Sequence, residues 1–284
     1  LTLTFGHFIL HATDRRSFDE VRMNNDLRGQ WALITGASSG LGVEFARQLA
    51  ARGAHLVLAA RSEAPMQVLA AELSAAHAIQ VHVEAIDLAE PGAASRLKAR
   101  LDAIGIGVDV LVNNAGFGLY GEFVTQSPQR LQEMLQLNVM ALTELSHAFG
   151  REMAQRGRGQ ILLVSSIGGY QATPTYAAYS ASKAYVLLLG EALNTELKPH
   201  GVNVAVLAPG ITATQFLAVA GQRATLYQRL MLMQPAPVVA AGLRALSRGQ
   251  ASVLPGLGNK LTVFSNRLTP RWLQRWSAAR LMAN

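Results

Sequence analysis

The chain has no cysteine among its 284 residues, so disulfides and thiolate zinc sites are excluded and no redox clue to compartment remains. Charge is also scarce. Only 15% of residues are charged and 6% aromatic against 50% hydrophobic, the balance of a chain that buries a core rather than staying disordered. No apolar run reaches the ~18 residues of a membrane-spanning helix. The apolar stretch 1–12 is short and lacks the basic leader of a signal peptide. Histidines show no HExxH spacing; His7 and His11 lie four apart in what reads as a solvated tail, not a metal site. Acids are missing from the last 27 residues, which hold Lys260, Arg267, Arg271, Arg275 and Arg280 out of a net charge of +7. The positive surface is therefore local, and no nucleic-acid partner is expected.

What remains is an alternation of short apolar runs and helical patterns, enough for one large domain or two small ones. Strands are predicted at residues 31–35, 55–60, 80–85, 108–112, 161–164, 202–207 and 251–254. Helices fill most of the gaps, including 64–76, 131–149, 176–197 and 238–246. Strands alternating with helices imply an α/β fold, a doubly wound parallel sheet covered on both faces. Ligands in such sheets gather at the carboxyl ends of the strands.

Those ends carry the informative residues. After the first strand comes Gly36-Ala-Ser38-Ser39-Gly40-Leu41-Gly42 and then a helix. Its physical reading is a phosphate cradle, in which side-chain-free backbone approaches a diphosphate at a helix N-terminus; a plain tight turn is the alternative. Arg61 follows the second strand with no acid at Ala60. An Arg there accommodates a 2′-phosphate and favours NADPH over NADH, unless it is an ordinary solvated Arg. Asp87-Leu88 suits an adenine edge, or Asp87 caps the helix starting near Glu90. Asn113-Asn114-Ala115-Gly116 suits backbone contact with a ligand, or a turn. Pro209-Gly210 with Thr212 ends the sixth strand. Asn138, an amide among apolar helical residues, is a structural bridge or a functional group.

The centre of the chain is the run from Gln160 to Lys183. A strand ends at Ser165-Ser166, and Tyr179 and Lys183 lie four apart on one helical face. A cation beside a phenol favours the phenolate, which makes Tyr179 a candidate acid/base, with Ser166 polarising a carbonyl oxygen. Residues 215–235, rich in Leu, Met and Ala, read as a helical lid over an apolar substrate or as core packing.

In order, TGASSGLG, Asp87-Leu88, NNAG, Asn138, Ser166, Tyr179-x-x-x-Lys183 and Pro209-Gly210 resemble the short-chain dehydrogenase/reductase family over residues 27–255. The resemblance implies one Rossmann-type sheet of about seven strands, and a homodimer or homotetramer formed through the helices holding Asn138 and Tyr179. Carried onto this chain it makes Tyr179 the acid/base and Lys183 the ribose ligand that lowers the phenol's pKa. Ser166, thirteen residues before Tyr179, becomes the holder of the substrate oxygen, and Asn138 the support of a water in the proton relay. The cofactor contacts implied are Gly36, Ser38, Ser39, Gly40, Leu41, Gly42, Arg61, Asp87, Leu88, Asn114, Ala115, Gly116, Tyr179, Lys183, Pro209, Gly210 and Thr212. The expected activity is NADPH-dependent reduction of an apolar carbonyl: a ketone, an aldehyde or a 3-oxoacyl group. The rivals are a steroid-like or hydroxy-lipid dehydrogenase and a dinucleotide-binding sensor without turnover.

Two segments lie outside the resemblance. Residues 1–26 are expected to be a flexible extension, with Met23 a candidate natural start. Residues 258–284 form a basic tail in which a helix from Pro270 would gather Trp272, Leu273, Trp276, Ala279 and Ala283. Such a helix suits a weak contact with an anionic membrane, or packs against the body or a neighbouring subunit. A cytoplasmic protein, peripheral at most to a membrane, is expected.

Overall fold

The computed structural model describes residues 26–282, so residues 1–25 of the N-terminal extension and residues 283–284, including Ala283, lie outside the described residues. Seven parallel strands form one sheet in the order β3-β2-β1-β4-β5-β6-β7. They are β1 Trp31–Thr35, β2 His55–Ala60, β3 Val81–Ala85, β4 Val108–Asn113, β5 Gly159–Val164, β6 Val202–Leu207 and the two-residue β7 Ser252–Val253. The order turns back between β1 and β4, which creates the crevice where such sheets hold their ligands.

Alternation along each strand sends side chains to opposite faces. Ala32, Ile34, Leu56 and Leu58 join Phe45, Leu49, Met66 and Leu243 in one core. Leu33, Val57, Leu111 and Val206 join Leu97, Leu142, Phe149 and Val186 in the other. Helices α1 (Gly40–Ala50), α2 (Glu63–His77) and α9 (Pro235–Ser247) cover the first face. On the second face lie α3 (Ala93–Ala103), α5 (Leu142–Arg156) and α6 (Ala177–Leu197). Both faces are buried, which is why the strands read as continuous apolar runs.

Three departures from the sequence reading bear on the site. Helix α4 (Pro128–Leu135), started by Ser127 accepting from Arg130 N, runs into α5 through a π-helical turn at Gln136–Ala141. That turn sets one extra residue into the helix at Asn138. Asp87 does not cap a helix: its Oδ1 accepts from Ala89 N at 2.9 Å, and α3 starts after Gly92. Finally, residues 257–268 form a helix, α10 (Leu257–Leu268), that the sequence reading left unassigned. The lid region folds as two short helices, α7 (Phe216–Ala220) and α8 (Leu226–Leu230), and the tail ends in α11 (Arg271–Met282). Among the described residues no helix is long and apolar enough to cross a membrane.

Candidate active site

The strand ends and helices α7 and α8 enclose a cavity of about 360 Å³. At its floor the turn after β1 folds back on itself. Gly36 takes φ +68°, and a Cβ there would press to 2.9 Å from the Asn114 amide; Gly40 takes φ +57° beside Thr214. Ser38, Ser39, Gly40 and Leu41 line the cavity at the start of α1, where helical N–H groups lack intrahelical partners. Gly42 does not line it. A Cβ at Gly42 would meet the Gly36 carbonyl oxygen at 2.1 Å, so this glycine lets the helix pack against the turn and is not itself a contact surface.

Asn114 brackets the neighbouring strand ends: its Nδ2 donates to Thr35 O at 2.9 Å, and its backbone N–H donates to Thr35 Oγ1. Ala115 and Gly116 continue the wall, with Leu88 and Asp87 opposite. Arg61 stands at the rim, 69% exposed along its side chain and only loosely paired with Asp87 at 3.9 Å. Pro209, Gly210 and Thr212 close the far side, Thr212 by donating to the Gly210 carbonyl. This donor set fits a nicotinamide dinucleotide: a side-chain-free cradle at a helix N-terminus, an exposed guanidinium at the rim, and hydroxyl and amide groups between them.

Ser166, Tyr179 and Lys183 face the same space. The Ser166 hydroxyl accepts from Gly168 N at 3.1 Å and hydrogen-bonds the Tyr179 phenol. Burial pushes that phenol up to about 12, and the Ser166 bond pulls the other way. Lys183 is buried, which draws its ammonium down to about 8. Its Nζ donates to Val164 O at 2.9 Å and sits 5.9 Å from the Tyr179 ring centre. Among the described residues, the Lys183 ammonium is thus bonded to a strand-end carbonyl and not to the phenol oxygen. The shared helical face is real, but the ammonium reaches for the end of β5 instead.

Asn138 does not line the cavity. Fully buried, it accepts from Phe117 N and donates to Phe117 O and Ser182 Oγ. Its Oδ1 still crowds Gly116 from the side where Lys183 Nζ approaches, since a Cβ at Gly116 would lie 2.8 Å from the one and 3.4 Å from the other. The structural-bridge alternative describes what its side chain does here.

Several lining groups escaped the sequence reading. Phe216 of α7 packs against Tyr179 with ring centres 5.2 Å apart and planes tilted by 49°, and Tyr176 flanks Tyr179 at 5.7 Å. Ser180 places in the wall a buried hydroxyl that has no hydrogen-bond partner among the described residues. Behind the lid, Gln222 Oε1 accepts from Tyr176 Oη and from Gln228 Nε2, each at 2.8 Å. Gln222 Nε2 donates to the Met282 carbonyl, so α11 is fastened to the lid, and Met282 joins the cavity wall. The last turn of α11 makes this contact and Ala278 is buried, whereas Trp272 and Trp276 remain exposed, so the apolar set read from 3.6-residue spacing is split.

Comparison with known proteins agrees with this architecture. The family profile described as short chain dehydrogenase matches residues 30–224, and the chain belongs to the short-chain dehydrogenase/reductase family. A very-long-chain 3-oxoacyl-CoA reductase of Phaeosphaeria nodorum is 36% identical over 193 residues, covering 66% of this chain and 56% of that protein. The chain thus spans little more than half the length of that relative. A short-chain dehydrogenase from Sphingobium yanoikuyae, solved with NADPH, superposes with a TM-score of 0.76 at 32% identity over 84% of this chain and 93% of its own. The bulky-bulky ketone specific alcohol dehydrogenase from Comamonas testosteroni gives a TM-score of 0.71 at 32% identity, with the same two coverages of 84% and 93%.

Proposed function

We propose that this protein reduces a bulky, apolar carbonyl compound to an alcohol, taking its reducing equivalents from NADPH. The observation that carries the reading is the shared cavity. It sets a half-buried, protonated phenol hydrogen-bonded to Ser166 between a glycine-rich cradle and the aromatic and aliphatic side chains of α7 and α8. A nicotinamide dinucleotide bound in the cradle supplies the hydride. Tyr179 gives its proton to the oxygen that becomes an alcohol, and the Ser166 hydroxyl donates to the same oxygen as negative charge builds on it. Burial favours the neutral phenol, so Tyr179 holds the proton that reduction consumes. Lys183, anchored on Val164 in the cavity wall, is the group that would hold a ribose hydroxyl of the dinucleotide. Phe216, Leu217 and Tyr227 surround the substrate with apolar surface. Arg61, exposed and weakly paired, is the group for a 2′-phosphate, and its exposure supports NADPH over NADH.

Substrates with bulk or an acyl chain on the carbonyl suit this lid, in line with the names of the 3-oxoacyl-CoA reductase and bulky-ketone relatives. Exposed Leu135, Met140, Tyr185 and Leu188 on the Asn138- and Tyr179-bearing helices support pairing of two copies there. The test is NADPH oxidation followed against 3-oxoacyl thioesters, bulky aryl ketones, hydroxysteroid ketones and small aldehydes. Turnover confined to the small aldehydes, or absent throughout, would overturn the reading.

A further inference from the structure

Helix α10 is inverted for a helix that packs only on its own protein. Leu257, Leu261, Phe264 and Leu268, spaced by four, three and four, share one narrow stripe. Their exposures are 72%, 59%, 58% and 75%. Its opposite side is polar and faces the body: Asn259, buried, donates to Pro255 O at 2.8 Å, and Asn266 donates to Gln171 Oε1 at 2.7 Å. Apolar exposure continues on α11 with Trp272 and Trp276 and on the lid helix α8 with Leu226 and Leu230, the latter joined to α11 by Thr225 Oγ1 donating to Leu281 O. Single exposed leucines are ordinary. A run of them across three connected elements marks a docking surface.

Charge selects the occupant. No Asp or Glu follows Glu196, whereas ten lysines and arginines do. Lys260 and Arg267 border the α10 stripe, Arg271 and Arg275 accompany the tryptophans, and the Arg280 guanidinium lies over the Trp276 ring at 5.5 Å. Two copies meeting through this face would bring like charges together. An anionic lipid surface complements it, with leucines, phenylalanine and tryptophans entering the interface and cations on the phosphates. We propose that the face built by α10, α11 and the leucines of α8 docks this protein on an anionic membrane. Thr262 of α10 and Met282 of α11 are also cavity walls, so docking sets the substrate cavity beside the lipid.

The test uses the full chain and needs no turnover. Vesicles of mixed phosphatidylglycerol and phosphatidylcholine should pull the protein down at low salt and shift tryptophan emission to the blue, whereas pure phosphatidylcholine should bind far less. Raising the salt should release it as the screening length falls from about 30 Å at 0.01 M to about 3 Å at 1 M. Phe264→Asp with Leu268→Asp should weaken binding by about tenfold or more, and so should Arg267→Gln with Arg271→Gln and Arg275→Gln. Melting temperature confirms that each variant is folded, and the two sets fail by different means if one is not. No binding to anionic vesicles at low salt overturns the proposal. So does equal binding to neutral ones, or sedimentation showing that the same substitutions split a dimer, which would make a second copy the occupant.

Discussion

Lys183 spends its ammonium on Val164, Nζ to carbonyl oxygen at 2.9 Å, at the last residue of β5. The same helix holds Tyr179 one turn earlier, and Ser165 Oγ donates to the Lys183 carbonyl at 2.6 Å, so strand end and helix are stitched from both sides. The cation is thereby pre-positioned beside the cavity at the cost of its solvation, and this has a consequence for stability.

For a lysine drawn below its ordinary value, the sign is fixed. The folded protein binds fewer protons than the unfolded chain between about pH 8 and 10.5, so stability rises with pH through that window. Tyr179 acts in the opposite sense above about pH 10, where the unfolded phenol ionises and the buried one, held near 12, does not. Urea unfolding of the ligand-free protein should show stability climbing from about pH 8 to about pH 10 and falling beyond. Lys183→Met should flatten the climb. A wild-type stability that declines steadily from about pH 8 would contradict the burial of the ammonium.

Tyr179→Phe removes one oxygen and keeps the ring that packs against Phe216. Cofactor affinity, read by quenching of intrinsic fluorescence, should stay within about twofold, and turnover should drop by on the order of 10²–10⁴. Near-normal turnover would move the proton donor elsewhere, and Ser166 would be the next residue to replace.

Much of this site was legible in the chain because each strand end carries small or polar residues directly after an apolar run. The bounds of β1, β2 and β6 follow from short runs such as HLVLAA, whose length and flanking turn residues suit a strand buried on both faces. Direction was not legible. Four-residue spacing puts Lys183 and Tyr179 on one face but leaves open which neighbour the ammonium will choose. Gly42 looks like Gly40 in the sequence, yet one glycine is spent on the cavity and the other on helix packing. Helix α10 was missed because its periodicity belongs to the outside: the leucines point to solvent and the asparagines inward, so an ordinary amphipathic reading finds no core face. The wall residue Met282 lies over a hundred positions from Tyr179, and only the folded tail brings it back.

Arg61 offers a sharper discrimination than any other residue of the cradle. Among the described residues its guanidinium pairs only with Asp87, at 3.9 Å, and a contact with a phosphate is worth roughly 1.5–3 kcal/mol. Arg61→Ala should therefore lower kcat/KM by about tenfold or more with NADPH and leave the value with NADH nearly unchanged. Equal losses with both cofactors would mean that the side chain supports the turn and not the 2′-phosphate; an NADH preference in the wild type would refute the assignment outright.

Gln222 is the residue on which lid, active-site aromatics and tail depend together. Its carbonyl end accepts from Tyr176 and Gln228, and its amide end donates to Met282, all within a site 5% exposed. Gln222→Leu keeps much of the volume and takes this partner from the Tyr176 hydroxyl, the Gln228 amide and the Met282 carbonyl, of which the amide keeps Met282 Sδ and the carbonyl keeps Tyr120 Oη. Each buried group left unpaired costs about 1–3 kcal/mol unless water reaches it, and for a chain of this size each kcal/mol lowers the melting temperature by about 2 °C or more. A fall of several degrees is expected, with faster proteolytic cutting after the arginines of α11, since the tail loses one of its fastenings to the lid. The kinetic signature separates this from damage to the chemistry: KM for a bulky substrate should rise several-fold while kcat changes little, because Tyr179 and Ser166 are untouched. A large loss in kcat at constant KM would show that the network holds the Tyr179 ring in place through Tyr176, and that the tail is coupled to proton transfer instead of to the substrate wall.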